Sequence, residues 1–164
     1  MRFVSVPKFV MRAGIKIFYL TGVSIFVCRC RTICIKFQLP LTLIHVECHR
    51  PTLKPSAERL SRHWYDLARL ADHELGQQAL LDTELLRDVL RIKETFYRSG
   101  FSHYDRCIAG GLRLIPDPSL LTALRQDYQA MLAAQMFYGE TLVFETIVER
   151  LRELEAQINR FDYR

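Results

Sequence analysis

The fold class is decided by residues 117–159, which read DPSLLTALRQDYQAMLAAQMFYGETLVFETIVERLRELEAQIN. Asp117 followed by Pro118 is typical of a helix N-cap followed by a proline in the first turn, so a helix is predicted to begin here. A second helical pattern covers about Thr141–Asn159, where apolar residues recur at the spacing of one helix face. Two long helices joined at a single glycine, Gly139, predict a C-terminal antiparallel helix hairpin.

The same kind of pattern extends back towards the middle of the chain. Ser56 is a good N-cap residue and predicts a helix that runs to about His73. Another helix is predicted at about Glu84–Arg98, ending near Gly100. These caps and apolar stripes predict a mainly α-helical bundle, and residues 52–164 are expected to fold as an independent unit.

The first part of the chain has a different composition, rich in Val, Ile, Phe and Thr. It predicts a weakly stranded or irregular N-terminal arm, residues 1–41, in front of a helical C-terminal domain, residues 42–164. Within the arm, Ile15–Leu20 and Val23–Cys28 could form a β-hairpin. The abrupt change suggests the hypothesis that the arm is unrelated sequence, such as a shifted reading frame or a fusion remnant.

Positive charge is concentrated in the same early part of the chain. Residues 1–50 contain eight Lys or Arg and one acid, whereas residues 51–164 contain fifteen Lys or Arg and seventeen acids. The larger part therefore offers no broad basic groove, while the basic arm could contact nucleic acid or anionic lipid. The apolar run 13–28 is interrupted by Lys16 and is shorter than the roughly 20 residues that span a bilayer. Membrane association through this run is a minor alternative.

The cysteines and histidines predict no metal site. Cys28, Cys30 and Cys34 are spaced unlike zinc ligands, and an odd total of five favours reduced thiols and a cytoplasmic location. His45 and His49 are four residues apart, but they lack a third ligand.

Two neighbouring segments carry a resemblance to a known family. Residues 43–51 read LIHVECHRP, and residues 58–67 read ERLSRHWYDL. The chain resembles the AbiEii/AbiGii nucleotidyltransferase toxin family, and the likeness covers about residues 42–160. It continues through Arg91-Ile-Lys93, Phe96-Tyr97, Gly111-Leu-Arg-Leu-Ile-Pro116, Asp127-Tyr128, Met131, Leu154-Glu155 and Ile158-Asn159.

The resemblance implies a toxin of a toxin–antitoxin or abortive-infection system. A complete member would transfer a nucleotide from an NTP to an RNA acceptor resembling tRNA, would use Mg²⁺, and would be restrained by a cognate antitoxin. Its catalytic half would supply an Asp-x-Asp pair that holds metal ions at the phosphates. Residues 1–65 contain no aspartate, and Pro40 stands where the family places a lysine. We therefore expect a truncated, catalytically inactive chain that binds neither Mg²⁺ nor NTP.

Four residues are candidates for a remnant of the site. Asp66 matches the acidic position of the family's late motif and is expected to be a vestigial catalytic residue, although an ordinary ion pair with Arg62 would also explain it. Arg62, His63 and Lys93 are candidate substrate-binding residues. The stem of Lys93 could instead lie along the core with its ammonium group in water. We expect Lys93 and Asp66 to face a shared polar pocket between the first two predicted helices.

Two other kinds of function stay open. The chain could be a helical interaction module that binds an antitoxin or RNA, or a membrane-associated protein that uses residues 13–28.

Overall fold

The computed structural model describes residues 29–51 and 59–160, and this part of the chain is mainly helical and contains no strand. The prediction of a mainly α-helical fold is confirmed. The six helices of the described residues are α1 (Arg29–Cys48), α2 (Arg62–Ala71), α3 (Glu74–Leu81), α4 (Thr83–Phe96), α5 (Pro118–Ala133) and α6 (Phe144–Ile158). A short 3₁₀ turn, Tyr104–Ile108, follows α4.

Helix α1 lies at the centre of the bundle and packs against α2, α3 and α4. Phe37, Leu41 and Ile44 follow one another at the spacing of a helix face, and all three are wholly buried. Pro40 lies inside the helix, where it removes one backbone N–H donor without ending the helix.

The expectation of an irregular or stranded arm through residue 41 is wrong for residues 29–41. Burial of one face outweighs the weak helix propensity of the Ile, Thr and Phe side chains, so these residues are helical. Residues 41 and 42 lie in the same helix, although a separate origin for residues 1–41 stays a hypothesis. The predicted strands Ile15–Leu20 and Val23–Cys28 lie outside the described residues.

The α1 helix also changes the expectation for residues 52–164. The apolar core includes side chains of α1 as well as of the later helices. A chain of residues 52–164 would therefore lack the α1 part of that core. The predicted cap at Ser56 lies outside the described residues. Helix α2 begins at Arg62, so the described part of the predicted Ser56–His73 helix is shorter than expected.

Helix α3 was not predicted, because it is short and follows α2 closely. The imidazole Nδ1 of His73 accepts a hydrogen bond from the backbone N–H of Leu75, 3.1 Å away, and caps the helix. Gly76 packs so closely that a Cβ atom there would lie 1.8 Å from the carbonyl oxygen of Leu70. The absence of a side chain thus permits the sharp corner between α2 and α3.

The next helix confirms the prediction for residues 84–98 to within two residues. Helix α4 runs from Thr83 to Phe96, and the Asp82 carboxylate accepts a hydrogen bond from the N–H of Leu85, 3.1 Å away. This capping contact fixes where the helix begins.

Helix α5 begins where it was predicted but ends well before the predicted junction at Gly139, and α6 begins at Phe144, three residues after the predicted start at Thr141. Pro118 occupies the first turn of α5, and the helix ends at Ala133, before a left-handed residue, Gln135, with a φ of 53°. Helix α6 carries the predicted apolar stripe, and its extensive packing is against α2. The hairpin helices meet near their loop, where the ring centroids of Tyr128 and Phe144 lie 5.7 Å apart.

Within the described residues, no helix combines the length and the apolar character that crossing a membrane requires.

Candidate functional site

A groove of about 640 Å³ opens to solvent between α1, α2 and α4. Three cationic side chains, one histidine and one carboxylate line it together with four apolar residues. The lining residues are Lys36, Leu39, Pro40 and Leu43 from α1, His63, Asp66, Arg69 and Leu70 from α2, and Lys93 from α4.

The helical period of α2 determines which of its residues enter the groove. His63, Asp66 and Leu70 are spaced by three and four residues and share one face. The opposite face is buried, and Trp64 fixes its orientation because the indole N–H donates to the carbonyl oxygen of Leu114, 3.0 Å away. The candidate residues are therefore held by a rigid element.

Asp66 is the carboxylate of the groove. Burial raises the pKa of Asp66 above its ordinary value, while the charges of Arg62 and His63 act in the opposite direction. The Nε atom of Arg62 lies 3.9 Å from the Asp66 Oδ2 atom, and both side chains are about half exposed. The ion-pair interpretation of Asp66 therefore has a geometric basis, although the pair is long and weak.

His63 lies beside this pair and lines the groove. Burial lowers the pKa of His63, and the positive charge of Arg62 lowers it further. Lys93 contributes a smaller decrease, which indicates that these two groove residues influence one another. The environment thus favours a neutral imidazole, which can donate or accept a hydrogen bond.

Lys93 enters the groove from α4. Its ammonium Nζ donates to the carbonyl oxygen of Leu39, 3.1 Å away, so the side chain bridges α4 and α1. Burial lowers the pKa of Lys93 to about 8, although the nearby Cys107 thiol acts in the opposite direction. Phe96 and Tyr97, which follow Lys93 in sequence, are exposed.

The structure brings together three of the four candidate residues. His63, Asp66 and Lys93 line one groove, as expected, whereas Arg62 approaches it through its contact with Asp66. The pocket is less polar than expected, because four of its nine lining residues are leucine or proline. Sequence reasoning missed Lys36 and Arg69. Arg69 follows Asp66 by three residues on α2, a spacing that could have indicated it.

The groove does not fit Mg²⁺, which prefers several oxygen ligands. Asp66 is the single carboxylate on its walls, and the other charged groups there are cations. Throughout the described ranges, no group of three or more His, Cys, Asp or Glu residues could hold a metal ion.

The segment around His45 has a structural role. His45 is wholly buried, its Nε2–H donates to the carbonyl oxygen of His103 at 3.0 Å, and its Nδ1 accepts from the Arg113 N–H at 3.0 Å. Burial lowers the pKa of His45 to about 4. Glu47 accepts two hydrogen bonds from the Arg50 guanidinium, at 2.7 and 2.8 Å.

Other segments that carry the resemblance also connect distant parts of the backbone. The Asp127 carboxylate accepts hydrogen bonds from the backbone N–H groups of Arg59 and Ser61, both at 2.8 Å, and from the Ser61 hydroxyl at 2.5 Å. The amide of Asn159 both donates to and accepts from the backbone of Leu112, at 2.9 Å. These contacts hold the start of α2 and the loop before α5 in place.

The described residues thus form a helical bundle in which three cationic side chains line a solvent-exposed groove. The chain matches the family described as the nucleotidyl transferase AbiEii toxin of type IV toxin–antitoxin systems over residues 41–153. This match covers more than half of the 164 residues, so the chain belongs to that family. No curated protein and no solved structure matches the chain.

Proposed function

We propose that the groove of this toxin-family chain binds the phosphate groups of a nucleotide, which departs from the expectation that the chain binds no NTP, and that the chain does not transfer nucleotides by itself. The observation that carries the proposal is the convergence of His63, Asp66 and Lys93, from two helices of the family-matched region, on one groove. Cationic lining residues favour phosphate, and the apolar lining residues suit a nucleobase.

The described part of the chain has too few suitably placed carboxylates to catalyse nucleotide transfer. Phosphoryl transfer depends on positioned metal ions and on charge stabilisation at the phosphates. Asp66 faces Arg62 and lies among cations, so it cannot hold two metal ions. Residues 1–65 supply no aspartate, and Pro40 replaces the expected lysine. Asp66 is then a vestigial catalytic residue, with Arg62, His63 and Lys93 as substrate-binding residues.

Incubation of the pure chain with each labelled NTP, Mg²⁺ and tRNA tests for transfer. We expect no label in RNA or protein, and no change with Asp66→Ala. Robust incorporation that Asp66→Ala abolishes would show that an active site is assembled from other residues.

Binding is tested separately by titrating the full chain into a fluorescent ATP analogue and following anisotropy. Lys93→Gln should weaken binding about tenfold, because it removes a charge-assisted hydrogen bond to phosphate. Arg152→Gln removes an exposed charge on α6, outside the groove, and should leave the affinity unchanged. If the two variants bind equally well, Lys93 is not a ligand of the phosphate.

A cognate antitoxin is the second binding function, and exposed apolar side chains support it. Ile92, Phe96 and Tyr97 at the end of α4 are 55, 74 and 69% exposed. Such a group favours a protein contact. Co-purification with the product of the adjacent reading frame should be lost in Phe96→Ser/Tyr97→Ser. It should persist in Tyr138→Ser, which changes another exposed aromatic residue. Equal retention by both variants would place the antitoxin elsewhere.

A cytoplasmic location and a contact with RNA complete the proposal. The described residues include free, buried thiols at Cys48 and Cys107, which suit a reducing compartment. An electrophoretic shift assay with tRNA in low and high salt tests the RNA contact, and an unshifted tRNA in low salt would remove it from the proposal.

A further inference from the structure

Lys36 lies outside the residues that match the family, yet it lines the groove. It precedes Pro40 by one helical turn of α1, so both residues lie on the groove face of that helix. The segment that was expected to be unrelated to the rest of the chain thus supplies part of the candidate site.

The three fully cationic side chains of the groove come from three different helices. Lys36 belongs to α1, Arg69 to α2 and Lys93 to α4. Asp66 is the carboxylate on the walls, and its charge is partly offset by Arg62, 3.9 Å away. The groove therefore carries an excess of positive charge, and Lys93 is partly desolvated, so its charge interactions are stronger than in bulk water.

We infer that Lys36, Arg69 and Lys93 together bind the polyphosphate group of the ligand directly, without a divalent metal ion. The inference rests on the proposed nucleotide binding and specifies its chemistry. Separate attachment to three helices lets the cations approach a chain of phosphates from different sides. Charge-assisted hydrogen bonds from lysine and arginine to phosphate are among the strongest in proteins.

The same positive charges determine how Mg²⁺ changes the affinity of the groove for a polyphosphate. A magnesium ion bound to a polyphosphate neutralises part of its negative charge, and the cations of the groove would repel that ion. Asp66, the one carboxylate that lines the groove, would offset little of this repulsion. Binding should therefore be stronger for the metal-free ligand than for its magnesium complex.

The test is isothermal titration of the full-length protein with inorganic tripolyphosphate and with ATP, in EDTA and in excess Mg²⁺. We expect both ligands to bind in EDTA, with affinities that fall severalfold in Mg²⁺ and in high salt. Lys36→Gln and Arg69→Gln should each weaken binding about five- to tenfold, within the range of one hydrogen bond to a charged group. Arg152→Gln on α6 is the charge-matched control, and the helical circular dichroism of each variant establishes that it is folded.

The outcomes separate this inference from the proposal on which it rests. Binding of ATP that requires Mg²⁺ and is unaffected by Lys36→Gln would overturn the inference and leave the nucleotide groove intact. A groove that binds neither ligand under either condition would overturn both. Binding of RNA but not of tripolyphosphate would also overturn the inference, because the cations would then serve a nucleic-acid backbone.

Discussion

Acid should destabilise this protein through His45, which is wholly buried between two backbone partners. Burial lowers the pKa of His45 from 6.5 to about 4, and His49, His103 and Arg106 reinforce the decrease by their charge. The folded protein thus favours the neutral imidazole, whereas the unfolded chain binds the proton more readily. This stabilisation is fully present above about pH 6.5 and is lost as the pH falls towards 4.

The loss of stability is determined by the pKa of His45 in the unfolded chain, 6.5, and in the folded protein, about 4. Linkage between protonation and unfolding gives a loss of about 2 kcal/mol by pH 5 and about 3 kcal/mol by pH 4. A protonated His45 would also lose the hydrogen bond that its Nδ1 accepts from the Arg113 N–H. For a domain of marginal stability, this is a large fraction of the free energy of unfolding.

The assay is urea unfolding at a series of pH values between 7 and 4, followed by the fluorescence of Trp64, the only tryptophan of the chain. His45→Gln is the control, because an amide can donate and accept hydrogen bonds without titrating in this range. Subtracting its pH profile removes the contributions of His49, His63 and Asp66, whose pKa values are also shifted. Parallel profiles for the two proteins would refute the assignment of acid sensitivity to His45.

Three further predictions concern the stability of the bundle. Asp127→Ala should lower the free energy of unfolding by about 2 kcal/mol, because it leaves donors at Arg59 and Ser61 without their acceptor, and an unchanged denaturation midpoint would contradict this. Gly76→Ala should cost about 3 kcal/mol by the same measurement, because its methyl group would collide with the Leu70 carbonyl; a loss below about 0.5 kcal/mol would show that the corner relaxes freely. A chain shortened to residues 52–164 should melt without cooperativity in circular dichroism because it lacks α1, and a sharp helical melt would show that α1 is dispensable.

Local signals made α4, α5 and α6 predictable from the sequence. The Asp117-Pro118 pair places the start of α5, and the apolar stripe of α6 matches its buried face. The family was also accessible, because its motifs recur in order along the chain. These signals depend on residues that are close in sequence, so they can be recognised without knowledge of the tertiary fold.

Helix α1 was not predictable in the same way, because its conformation depends on distant packing. Its β-branched and aromatic residues, together with Pro40, resemble a strand or a loop when they are considered alone. Contacts with α2, α3 and α4 decide the outcome, and these contacts join residues far apart in sequence. Lys36 was missed for the same reason, since its place in the groove follows from the packing of α1.

The contact between Asp127 and the start of α2 links the groove to a distant helix. A helix of ten residues has little stability of its own in water, so α2 relies on the residues that hold it. The Asp127 carboxylate accepts hydrogen bonds from the backbone N–H groups of Arg59 and Ser61, and His63 lies two residues after Ser61 in the first turn of α2. Displacement of α5 should therefore loosen the first turn of α2 and disturb the groove without touching a groove residue, so that a change on the outer surface of α5 would alter the proposed ligand binding from a distance.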